Sequence, residues 1–369
     1  MRKRAIYIKI KKYKVKWNKI LVSFVSVGGL WWSLKVFFML FYELSGTLKW
    51  LMPVIDYSND SKYYYIINSI HQMEYGKQII CILLVADVIL FIGLFLLIIK
   101  QNTAKKLLII EHTSSQNMSF SYNKEELAEY EEKRFQINQY ATISNQALPL
   151  VEKVSLLITE IQNALPKINE YINRGYQIGY AGIPVGNIPS AFMLGFELDD
   201  ANKKLYFHKN RFNPSDDDFH LLPDMPVQIR LHLDKKENNL NEPGKLLVLV
   251  QLTQKINDYD LQGIIEENDY VLKYGISDNI DYDIINSANQ TNIYVQQILN
   301  GIADIQKHPN ISTIKICIAA SSDFVFALGT KFSTTQNIET VVYQFSRDWY
   351  EWGINVTKKT PVLNQVGLH

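Results

Sequence analysis

Ser321, Ser322 and Asp323 follow the apolar run Ile314 to Ala320, and the residues after them, Phe324 to Leu328, have the composition of a short helix. Ser322 or Asp323 can cap that helix, so hydroxyls and backbone N–H groups converge just past a strand end. The arrangement suits a phosphate or a base edge, and it equally suits a plain helix cap. Other chemistry is sparse. The seven histidines, His71, His112, His208, His220, His232, His308 and His369, are scattered, with none in an HExxH arrangement. Asp216, Asp217 and Asp218 read as a solvated turn rather than a cation site. Neither GxxxxGKS/T nor GxGxxG occurs, and GIPVGNIPS has two glycines at the wrong spacing. Cys81 and Cys317 lie in apolar stretches with no His or Cys at ligand spacing, so they read as buried thiols in a reducing compartment, and no metal is expected. No Ser/His/Asp set can be nominated. The expected activity is binding, not catalysis.

The elements that must position the serine turn occur twice. Pro189 to Gly195 (PSAFMLG) and Asp323 to Gly329 (DFVFALG) read almost alike, and each follows an apolar run, Gln177 to Ile183 in the first case. Each is followed by a polar stretch and an aromatic-rich apolar run, Leu205 to Phe207 or Val341 to Phe345, closed by Arg211 or Arg347. This predicts strand, turn, helix and strand, written twice, with two strand ends suited to an anion. Further strands are predicted at Val227 to Leu233, Lys245 to Leu252 and Tyr270 to Ile276, and helices at Gln290 to Ile305 and Val151 to Tyr171, the latter broken or kinked at Pro166. An α/β domain with pseudo-twofold character follows.

Charge divides the 369 residues. Residues 1 to 99 carry 13 Lys/Arg against 5 Asp/Glu, and residues 100 to 369 carry 25 against 32. Ile20 to Tyr42 and Gln78 to Ile99 are each long and apolar enough to span a bilayer as helices, since about 20 residues suffice. Nine Lys/Arg lie between Arg2 and Lys19, and Lys100, Lys105 and Lys106 follow the second span, which predicts both termini on the cytosolic side. Lys35 and Asp87 fall at similar depth in the two spans: they pair to hold the hairpin together, or Lys35 snorkels outward, or Asp87 lines a polar path formed when several hairpins associate. The predicted organisation is a basic N-terminus (1–19), a transmembrane hairpin (20–99), a linker with a connector helix (100–145) and a sensor domain (146–369). The net negative charge of the later part argues against bulk DNA or RNA binding.

The segments IKICIAASSDFVFALGTKF, ETVVYQF and RDWYEWGINV resemble the C-terminal half of a SAVED domain, and YAGIPVGNIPSAFMLGFEL with KLYFHKNRF resembles its first half. The resemblance covers about Pro149 to Val356. It implies two fused CARF-like Rossmannoid units that bind a cyclic oligonucleotide, a cyclic trinucleotide or similar, with no cofactor. Behind a two-span hairpin it is similar to the transmembrane-SAVED effectors of CBASS antiphage systems. That likeness implies a bacterial inner-membrane protein which oligomerises with copies of itself on ligand binding and disrupts the lipid bilayer. The ligand contacts it implies are Ile183, Pro184 and Val185 in the first unit and Ser321, Ser322, Asp323 and Phe324 in the second, with Lys331, Arg211 and Arg347 available to phosphates. Two other readings remain open: a membrane-tethered enzyme that degrades cyclic oligonucleotides, and a membrane scaffold that recruits a protein partner.

Overall fold

The computed structural model describes residues 76–102, 105–116, 118–199, 204–209, 219–226, 230–236, 242–276 and 284–364. The chain divides into two compact units, 1–104 and 105–369.

In the first unit the described element is helix α1 (Gly76–Asn102), 27 residues long. It coincides with the predicted second span. Its described side chains run only from Gln78 to Gly93, and among the described residues no helix is long and apolar enough to cross a membrane. The first predicted span and Lys35 lie outside the described residues. Cys81, expected to be buried, is exposed on α1, whereas Cys317 is buried in the second unit and burial pushes its thiol well up.

The second unit begins earlier than the sequence suggests. Residues 105–138, read as linker and connector helix, form strands β1 (Lys105–Thr113) and β2 (Tyr130–Asn138) around a one-turn helix α2 (Lys124–Leu127). The Glu and Lys residues of β2 favour helix in isolation. They are tolerated in a strand because β2 is the edge of its sheet, where charged side chains face water and discourage further pairing. β1 is hidden for the opposite reason: its stretch LLIIEHT is continuously buried and shows no alternation.

After the short helix α3 (Tyr140–Ser144) come α4 (Leu150–Asn173), β3 (Gln177–Ile183), α5 (Ile188–Leu198), β4 (Leu205–Lys209) and β5 (Phe219–Leu221). Pro166 does not break α4. It and Gln162, whose carbonyl loses its helical partner there, are both exposed, so solvent can satisfy the freed group. The first sheet runs β2-β1-β3-β4-β5, parallel except at β5. The second comprises β6 (His232–Lys236), β7 (Gly244–Gln251), β8 (Tyr270–Gly275), β9 (Ile311–Ala319), β10 (Glu339–Ser346), β11 (Trp349–Asn355) and β12 (Thr360–Leu363), with helices α6 (Ala288–Ile305) and α7 (Ser322–Gly329). Its order is β12-β11-β10-β9-β7-β8-β6, and β8, β7, β9 and β10 are mutually parallel.

Chain order and sheet order therefore match between β1, β2, α4, β3, α5, β4 and β7, β8, α6, β9, α7, β10. The predicted repeat is real and longer than its sequence signature. Its two copies meet at α5 and α7. A Cβ on Gly195 would collide with the Phe326 carbonyl, and one on Gly329 with the Phe192 carbonyl. Each glycine thus receives the other helix at the corresponding phenylalanine. A single core joins Leu108, Ile178 and Phe192 of one copy to Leu246, Ile298 and Phe326 of the other.

Candidate functional site

In sheets of this order, ligands sit beyond the carboxyl ends of the strands where the connections diverge. The ends of β3 and β4 in the first copy and of β7 and β9 in the second enclose one cleft. It is lined by Gly182, Ile183, Phe207, His208, Lys209, Thr253 and Ala320 to Asp323.

Two contacts tie its walls together across the copies. His208 Nδ1, on β4, lies 3.2 Å from Asp323 Oδ1 on α7, and both side chains are buried. The Ser322 hydroxyl donates to the Gly182 carbonyl. Burial by itself would raise the Asp323 pKa; the His208 charge and hydrogen bond and the neighbouring Ser321 hydroxyl overcome this and hold the carboxyl below its ordinary range. Although Ser321 lies beside the carboxylate, Ser321 Oγ and Asp323 Oδ2 close no hydrogen bond of ordinary geometry, and both atoms are buried. The N-cap of α7 is Ser321, not Ser322 or Asp323, and its side chain makes no capping bond.

Beneath the first copy's strand ends runs a second polar set. His112 Nε2 lies 2.9 Å from Gln139 Oε1, and His112 Nδ1 lies 3.1 Å from the Tyr180 hydroxyl. Gln139 donates through Nε2 to the Leu157 carbonyl, and its Oε1 also accepts from Asn187 Nδ2 at 2.6 Å. Those two bonds fix the amide orientation, so His112 must donate from Nε2 and accept from Tyr180 at Nδ1. Burial pulls the His112 pKa to about 4, in keeping with a neutral ring. The Tyr180 ring stacks on Phe326 of the other copy with centroids 4.1 Å apart.

Neither helix start is an open anion site. The first amide of α5, Ile188 N–H, donates to Gln344 Oε1 of the other copy at 2.7 Å. The start of α7 carries its own carboxylate, Asp323.

Of the residues singled out in the sequence, Ile183, Ser321, Ser322 and Asp323 meet in the cleft. Pro184 is buried at the end of β3, and Val185 is exposed, its carbonyl accepting from the Ser114 hydroxyl at 2.6 Å. Phe324 is fully buried in the core. Lys331 lies past the C-terminus of α7, away from the helix start that faces the cleft, and Arg347 is exposed in the β10–β11 turn with φ of 59°. Arg211 and the acidic run Asp216 to Asp218 lie outside the described residues. Asp87 is buried on α1. His208, Lys209 and Thr253 line the cleft without having been foreseen. The one signal for His208 is its place on an aromatic strand, LYFHK, equivalent to the strand that closes the second repeat. Among the described residues no cluster of three or more His, Cys, Asp or Glu could hold a metal ion.

Among curated proteins none matches the chain significantly. Solved structures similar to it include the Acinetobacter baumannii Cap4 SAVED/CARF-domain containing receptor with the cyclic trinucleotide 2'3'3'-cAAA, at 13% identity and a TM-score of 0.43, covering 75% of this chain and 58% of that one. The Moraxella osloensis Cap4 receptor is similar at 13% identity and a TM-score of 0.40, over 79% of this chain and 64% of that one. The chain thus spans less than two thirds of the length of either receptor. Residues 161–356 match the family described as the SMODS-associated and fused to various effectors sensor domain. That match covers more than half of the chain and runs from within α4 of the first copy through β10 of the second, so the chain belongs to the SAVED family.

Proposed function

We propose that this protein is a membrane effector gated by a cyclic oligonucleotide. The observation that carries the reading is the cleft: four strand ends of a SAVED sensor, two from each copy, converge on polar groups that include His208, Lys209, Ser321 and Asp323. The ligand is a cyclic trinucleotide or a close relative. Its binding favours association of sensors into an oligomer, and association gathers the hairpins into a membrane lesion. The chain acts by binding and leaves the ligand intact.

Helix α1 supports the membrane part. Its apolar side chains point outward, with Ile82 68%, Val85 58%, Ile89 65% and Ile92 52% exposed, while its one acid, Asp87, is 7% exposed. A helix of a water-soluble fold does the reverse; an apolar exterior around a buried polar group suits lipid. The basic flanks at Arg2 to Lys19 and near Lys100 favour a topology with both termini on the cytosolic side of a bacterial inner membrane.

The test uses the full chain in detergent micelles, titrated with cyclic di- and trinucleotides by calorimetry while its mass is followed by light scattering, and then in dye-loaded vesicles. Binding, a rise in mass and dye release with the same ring, together with recovery of that ring unchanged by chromatography, are expected. Binding without release discards the membrane role. Shortened or opened rings restore the degrading enzyme.

A further inference from the structure

The cleft is electrically ordered along its depth. At its buried end stands Asp323, 2% exposed, with Ser321, 8% exposed; Ser321 Oγ and Asp323 Oδ2 are both buried and close no hydrogen bond of ordinary geometry. Asp323 Oδ1 is taken by His208. Toward the outside is Lys209, partly exposed, its Nζ 5.7 Å above the Phe219 ring. A phosphate is repelled by a buried carboxylate and belongs at the lysine end. The buried end offers two neighbouring oxygens, Ser321 Oγ and Asp323 Oδ2, each able to accept a hydrogen bond from a guest.

One common ligand group carries two hydrogens on a single nitrogen, the exocyclic amine of a nucleobase. We propose that Ser321 and Asp323 select a base bearing an exocyclic amino group, adenine, cytosine or guanine, with one N–H to each oxygen, while Lys209 meets the adjoining phosphate. This rests on the cyclic-oligonucleotide reading and adds base selection to it. A base that presents a carbonyl at that position, hypoxanthine, xanthine or uracil, sets oxygen against carboxylate and is rejected, which is discrimination by repulsion as well as by attraction.

The experiment measures affinity of the full chain in micelles for cyclic di- and trinucleotide rings in matched pairs: adenine against hypoxanthine, guanine against xanthine, and cytosine against uracil. The wild-type chain should bind at least one amino-bearing ring about tenfold or more tighter than its carbonyl counterpart, the ratio expected for one charge-assisted bond. Asp323→Asn, which removes the charge and supplies an N–H, should reduce that ratio to about threefold or less. Ser321→Ala leaves the His208 contact in place and should cost the amino-bearing ring about tenfold while sparing the other. Equal wild-type binding of both members of every pair, or an unchanged ratio in both variants, overturns base selection alone. Binding of no ring by the wild-type chain overturns the nucleotide reading beneath it.

Discussion

His112 shows how far a residue's surroundings outrun its sequence. In the sequence it falls in the predicted linker, one of seven scattered histidines; in the fold it is fully buried between Gln139 and Tyr180. Its neutrality has a measurable consequence. The folded chain resists protonating His112 until about pH 4, while the unfolded chain takes up that proton near 6.5. Between these values the unfolded state binds more protons, so stability falls as pH drops from 6.5 toward 4, by about 3 kcal/mol in all, and is insensitive to His112 above that window. Chemical denaturation across this range should show the decline, and His112→Gln should flatten it. Asp323 acts lower down. Its depressed pKa contributes stability above the ordinary carboxyl value of 3.8, lost as pH falls through the lower folded value. His208→Ala leaves the buried Asp323 carboxylate without its ionic partner and is expected to destabilise by about 3 kcal/mol, read as a shift in denaturation midpoint. The serine-acid turn was legible in the sequence because its residues are contiguous. The histidine that completes it was not, since only the tertiary fold brings position 208 to position 323.

Among the elements, the repeated helices and the strands before them were legible because each pairs an apolar run with turn residues. β3 coincides with its predicted Gln177 to Ile183, and β7, β8 and β9 fall within three residues of prediction at either end. The edge strand β2 and the fully buried β1 were not legible, because one lacks an apolar face and the other lacks a polar one. The error has practical weight. A fragment begun at Ser114 omits β1, the strand between β2 and β3, and should be insoluble or unfolded by circular dichroism, whereas one begun at Lys105 should fold. At the helix crossing, Gly195→Ala or Gly329→Ala drives a methyl into a backbone carbonyl of the partner helix. Backbone cannot swing aside as a side chain does, and each change is expected to cost about 3 kcal/mol in urea titrations. Gly186→Ala, with φ of 68° but open space around it, should cost about 1 kcal/mol through backbone strain alone.

Over the whole molecule, the division at Ala104 and Lys105 separates the proposed tasks. Deleting residues 1–104 should leave ligand affinity within about twofold and abolish dye release from vesicles; a truncated chain that still releases dye removes the hairpin from the mechanism. The pseudo-twofold plan was visible in two short segments, but its extent was not, because the remaining paired elements share position and no sequence likeness. The glycine crossing and the common core carry one more consequence. Two lobes that share an interior have no hinge: they cannot close on a guest as a clam closes, and they should melt in a single calorimetric transition rather than one after the other. Under the proposed function, news of an occupied cleft must then leave through the outer skin, in loops and sheet edges that reshape where a neighbouring molecule would dock. The proposed receptor would work less like a jaw than like a coin that becomes stackable once stamped.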